Sequence, residues 1–92
     1  MAASENILEE ALRITSGDRA AAYGDALADA KRFAQIASAV TGLDIEPRHF
    51  PLIMLAVKLS RASQDKWHRD SWVDIAGYAR VAEKIREAEE GG

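Results

Sequence analysis

Asp70-Ser71-Trp72-Val73-Asp74-Ile75-Ala76-Gly77-Tyr78-Ala79 reads as the head of a long helix, and that reading decides the fold. Asp70 or Ser71 can cap it, and the segment then runs to about Ala88. Trp72, Ile75, Ala76, Ala79, Ala82 and Ile85 recur at helical spacing and are expected to face inward. Asp70 and Asp74 stand at i and i+4, so they share one helix face. Gly77 in mid-helix costs about 1 kcal/mol relative to Ala, and close packing against another helix is its expected reason.

Working outward, Gln64 to Arg69 is a polar loop, preceded by a third helix. Proline is tolerated only in a first turn, so that helix starts at Pro47, with distortion at Pro51, or at Pro51 itself. Leu52 to Val57 is apolar all round, the mark of a buried central helix. A second helix spans about Asp25 to Thr41, with Leu27, Ala30, Phe33, Ala34, Ala37 and Val40 as its stripe and Gly42 as its stop. The first spans Glu5 to Thr15, capped by Ser4, with Ile7, Leu8, Ala11, Leu12 and Thr15 as its stripe and Ser16-Gly17 as its stop. Asp18 to Tyr23 is a short link closed by Gly24. No segment alternates with strand period. The expectation is an all-α, four-helix bundle-like single domain over residues 1–92, its core at about 5–88, completed by oligomerisation.

Composition narrows the function classes. Ninety-two residues, 48% of them hydrophobic, support one small globular domain. A net charge of −3 argues against general nucleic-acid binding, which wants a broad basic face. The chain has no cysteine, hence no disulfide, thiolate metal site or cysteine nucleophile. No basic segment followed by an apolar one opens the chain, so no signal peptide is read, and the longest apolar run, Phe50 to Val57, is too short for a bilayer. The expected location is cytoplasmic, with no membrane partner.

Three groups of residues could carry chemistry, and each has an ordinary alternative. Lys58 and Arg61, three apart, can meet a phosphate as point charge and planar fork, or can simply snorkel to the bundle surface. Asp70 and Asp74 are a cap and a first-turn acid; with the similar pair Asp25 and Asp29 they could instead hold Mg²⁺, a hard cation that takes oxygen ligands. Arg19, Tyr23 and Gly24 could offer charge, a ring and close backbone approach, or just shape a loop. Trp67 can stack on a base, and Tyr78 and His68 lie on or next to the acid-bearing helix. With His49 the only other histidine, no HxxxH-type metal spacing exists, and no glycine-rich phosphate loop or GxSxG is present.

Arg19, the Tyr23-Gly24-Asp25 step, Phe33 with Ile36-Ala37, the Lys58-Leu59-Ser60-Arg61 run and the Asp70-to-Ala79 stretch resemble a family of small phage and prophage domains of unknown function. The resemblance covers about Ile7 to Ile85. More distantly, the same elements are similar to nucleotide-modification-associated domains and to the all-α MazG-like nucleotide pyrophosphohydrolases. The MazG-like resemblance implies a Mg²⁺-bound carboxylate cluster that activates water against a nucleoside triphosphate. That family carries glutamate pairs on one helix and a Glu/Asp pair on the next. Here Asp70 and Asp74 match the second pair at a different spacing, Asp25 and Asp29 stand in imperfectly for the first, and Arg48-His49-Phe50 stands where the phage family leads one to expect an acid.

The reading that follows is a homo-oligomeric phage-type protein that binds a nucleotide or small phosphorylated ligand, sequestering a nucleotide signal for instance. The phosphates would meet Lys58 and Arg61, with Tyr23 or Trp67 against a base. The alternatives are a Mg²⁺-dependent pyrophosphohydrolase and a structural oligomer with no small ligand.

Overall fold

A computed structural model describes residues 5–16, 25–64 and 66–91, and it is helical without strands over those residues. Four helices follow in order: α1 Ile7–Ile14, α2 Ala26–Thr41, α3 His49–Ala62 and α4 Arg69–Gly91.

Local chemistry sets the ends. Asn6, not Ser4, caps α1: its side chain accepts from the Glu9 amide at 2.8 Å while Glu9 accepts from the Asn6 amide at 2.9 Å. That reciprocal pair satisfies two of the amides a helix start leaves orphaned, and Ser4 lies outside the described residues. Asp25 caps α2 through the Leu27 amide at 2.8 Å, as expected. Gly42 ends α2 at φ 74°, a left-handed position that glycine adopts without Cβ strain. α3 begins at neither proline but between them, at His49. The Glu46 carbonyl accepts from the His49 amide at 2.9 Å, forming a turn ahead of the helix. Pro51 then falls in the first turn, where its missing N–H leaves no bond unmade. α4 begins at Arg69, so Asp70 sits inside the first turn instead of capping it. The residue ahead of the helix is His68, whose Nδ1 lies 2.6 Å from the buried Ser71 hydroxyl.

α4 is the spine. The hairpin of α3 and α4 is antiparallel, for Lys58 meets Asp74 and the ring of Phe50 meets that of Tyr78. α1 runs parallel to α4: Arg69 reaches the Glu10 carboxylate and the Glu5 carbonyl, and Lys84 donates to the Thr15 carbonyl at the other end. α2 packs across α3 and α4, where Phe33 and Phe50 lie 5.0 Å apart. The molecule measures 49 × 34 × 20 Å, and its short dimension is two helix diameters.

Two expectations about which faces are inward fail here. On α4 the buried residues are Ser71, Val73, Gly77 and Ile85; of the six expected inward, Ile85 is buried and Ile75 and Ala76 are half-buried, while Trp72, Ala79 and Ala82 are exposed. On α3 the expected burial of Leu52 to Val57 is not seen: Leu52, Ile53, Ala56 and Val57 are exposed and Leu59 beyond them is too. Three short helices against one long one leave each with a single covered side. For the same reason Leu8, Leu12 and Val40, all placed in the expected stripes, remain exposed on α1 and α2.

Gly77 has room. A Cβ built there would lie 3.6 Å from Thr15 Cγ2, an ordinary van der Waals contact. Gly77→Ala should therefore keep the helix propensity gain, raising stability by up to about 1 kcal/mol. A lower denaturant midpoint for the variant would show that α1 and α4 pack too closely for a methyl group.

Candidate functional site

The loop end of the α3–α4 hairpin gathers most of the expected ligand residues. Lys58 lies on the α4 side of α3, the one charged residue within a run of apolar ones. Its ammonium sits 2.9 Å from the Asp74 carboxylate, with the Lys58 side chain 16% exposed and that of Asp74 36%. Asp74 thus orients Lys58, which accounts for an acid placed beyond the capping position. One turn further along α3, Arg61 is exposed, and no hydrogen bond or ion pair engages its guanidinium among the described residues. Across the loop the indoles of Trp67 and Trp72 stack, centroids 6.0 Å apart and planes 12° from parallel. Both rings reach solvent, Trp67 at 68%. Asp70 is exposed in the first turn of α4, where the helix dipole favours its charge.

Other expected residues go elsewhere. Tyr78 turns its ring edge to Phe50, which in turn packs on Phe33, so the tyrosine belongs to the aromatic packing at the opposite end of the hairpin. His68 serves the start of α4 through Ser71. Asp25 is taken up as the α2 cap, and Asp29 pairs with Arg32. Among the described residues no three carboxylates or histidines come together, so within one chain Asp25 and Asp29 do not join Asp70 and Asp74 in one cluster. Arg19, Tyr23 and Gly24 lie outside the described residues.

Sequence reasoning missed Arg69, Lys84 and Ser38. Arg69 ties α1 to the head of α4 through Glu10 and the Glu5 carbonyl, a junction next to the Trp pair. Lys84 donates to Thr15 across 69 positions of sequence. Ser38 bonds both the amide and the carbonyl of Ile45, folding the connector back on α2. Such long-range partners leave no local periodic signal. A shallow open groove runs beside that connector, lined by Lys31, Ala34, Gln35, Ser38, Ile45 and Pro47, and none of the expected ligand residues faces it.

With this geometry in view, comparison with known proteins gives a coherent result. The family described as Domain of unknown function DUF6378 matches residues 6–86, nearly the whole helical region. The chain belongs to that family. It is 38% identical over 82 residues to the Gene 55 protein of Mycobacterium phage L5, covering 88% of this chain and 53% of that protein. The Gene 55 protein of Mycobacterium phage D29 is 37% identical over 84 residues, covering 91% and 56%. The chain therefore spans about half the length of the curated relatives it matches. No solved structure matches it. The phage kinship implied by the resemblance is thus established; its extension to MazG-like enzymes is not part of what these matches carry. No helix among the described residues is long and apolar enough to cross a membrane.

The Lys58–Asp74 pair can be weighed by mutation. Asp74→Ala leaves a largely covered ammonium without its partner and should cost about 1–3 kcal/mol. Lys58→Met keeps the packed stem and should cost less, and the double variant should be clearly less destabilised than the sum of the two. Additive losses in chemical denaturation would mean the contact contributes nothing to the fold.

Proposed function

We propose that this DUF6378 domain binds a nucleotide or another small phosphorylated ligand at the loop end of the α3–α4 hairpin, and that it works as a homo-oligomer. One observation carries the reading: the exposed guanidinium of Arg61, unengaged among the described residues, shares that end with two solvent-facing stacked indoles, while Asp74 holds Lys58 nearby. Arg offers a planar fork that matches phosphate oxygens bidentately, and an indole face is a platform for a base. Asp74 holds the Lys58 ammonium at this end of the hairpin, so a ligand phosphate there meets a cation that is already oriented. Two cations in a chain of net charge −3 suit a small phosphate better than a nucleic-acid backbone.

The test is a set of calorimetric titrations with nucleoside mono-, di- and triphosphates and cyclic nucleotides, with the mixture then analysed for products. The expected outcome is binding without turnover, with or without Mg²⁺. Arg61→Ala should then weaken affinity roughly ten- to a hundredfold, the worth of a charged hydrogen bond, while helix content stays unchanged. Loss of affinity in Asp74→Asn, in both the presence and absence of metal, accompanies that result. Absence of binding across the set, or full affinity in Arg61→Ala, removes the ligand reading. Mg²⁺-dependent release of pyrophosphate by the unmutated protein puts the pyrophosphohydrolase in its place.

A further inference from the structure

The outer side of α3 is the least expected surface of the molecule. A helix facing water normally carries charged residues on that face. Here Leu52, Ala56 and Ser60 follow one another at i, i+4 and i+8, Ile53 and Val57 run along one flank, and Leu59 lies on the other. All six are exposed, with Leu52 at 58% and Leu59 at 51%. The charged residues of the helix, Lys58 and Arg61, stand off this strip, and Lys58 is turned to Asp74 on α4. The other uncovered apolar residues differ. Leu8 and Leu12 on α1 lie beside Glu9 and Arg13, and Ile36 and Val40 on α2 continue a row that starts at Arg32.

We infer that this strip is a two-fold interface in which α3 pairs antiparallel with α3 of a second copy of the chain. A charged partner finds nothing on the strip to read, and a membrane surface would call for a rim of several basic residues where only Arg48, paired with Glu46, and Arg61 stand. A second copy fits by shape. A two-fold contact sets the same patch against itself. With the crossing at Ala56, the smallest side chain lets the helix axes approach. Leu52 of one copy then meets Leu59 of the other, and Ile53 meets Val57 and Ser60. The chain as a whole is under-covered as well: it exposes 6531 Å², against roughly 5,200 Å² for a folded monomer of its 10.0 kDa mass, and the strip holds part of that surplus. The pairing gives the oligomer of the proposed function a specific surface, yet it does not depend on any ligand being bound.

Sedimentation equilibrium at micromolar concentration tests it without ligand. The wild type should have about twice the 10.0 kDa chain mass, and Ala56→Glu, which puts a carboxylate at the crossing, should have the mass of one chain. Val40→Glu, at a position 79% exposed on α2, should remain a dimer. Because a glutamate could disturb α3 itself, a second variant reports on position directly. The chain has no cysteine, so in Ala56→Cys the new thiols face each other across the axis. Mild oxidation should link them into covalent dimers, and Val40→Cys should not respond. A monomeric wild type, an Ala56→Glu variant that stays associated, or Ala56→Cys that links no more than Val40→Cys would each overturn the inference.

Discussion

Everything in this fold leans on one helix. Among the described residues α4 packs against all three other helices, and its 23 residues outrun what helices of 8, 16 and 14 residues can enclose. The fully buried apolar residues among those described are consequently few: Ala11, Ala30, Ala34, Val73 and Ile85. Three of them are alanines. Small side chains let the helices approach closely, but each removes little apolar area from water, and stabilisation scales with that area. A domain built this way keeps a thin core and depends on its junctions. Arg69 to Glu10, Lys84 to Thr15 and Lys58 to Asp74 each tie one neighbour to α4 by a charged group. Its far half is held in register along its own surface, where Arg80 bonds Glu87 and Glu83, and these bonds raise the arginine pKa above its ordinary value.

The helix count and most helix ends were legible in the sequence because they rest on local chemistry. The Asp25 cap and the Gly42 stop are set by residues within four positions of each other. The orientation of α3 was not legible, and the reason is physical. A helix with apolar residues on every side has no moment to point with, so its rotation is settled by whichever distant contact is strongest. Here that contact is Lys58 with Asp74, which turns the charge inward and leaves Leu52, Ile53, Ala56 and Val57 outward. On α4 a similar ambiguity between two alanine-rich faces is resolved by distant neighbours, which bury Val73, Gly77 and Ile85, with Thr15 at the end of α1 lying against Gly77. Trp72 is then displaced to the surface, where Trp67 covers one of its faces.

The residues that carry the family resemblance divide along the same line. Asp25 and Phe33 have complete structural explanations, one as a cap and the other in the aromatic packing with Phe50. Asp74 has a partner in Lys58, and Gly77 lies buried against α1. Ile36 and Arg61 do not, for nothing within one described chain requires a half-exposed isoleucine or an unengaged arginine there. Of the residues expected at a site, the hairpin brings Lys58, Arg61, Trp67, Asp70 and Asp74 to one end because all five lie within 17 positions of a single turn-back. Asp25 and Asp29 come from another helix start, and spacing alone could not show that cap and ion pair already occupy them.

The Lys58–Asp74 pair joins the two questions of ligand and assembly. Its ammonium is mostly covered on the α4 side, yet solvent still reaches Asp74, and a charge pair strengthens as water is withdrawn from around it. Covering the outer face of α3 does not bury the pair directly, since Lys58 lies on the opposite side of that helix. It fixes the helix instead. A fixed α3 holds the Lys58 stem against α4 and spares the pair the conformational entropy that an edge helix would otherwise cost it. On the pairing inferred above, Arg61, one turn on from Lys58, would stay accessible. An edge helix steadied by a second copy would then present a guanidinium that is unengaged among the described residues in a set position, which is what recognition of a small anion requires.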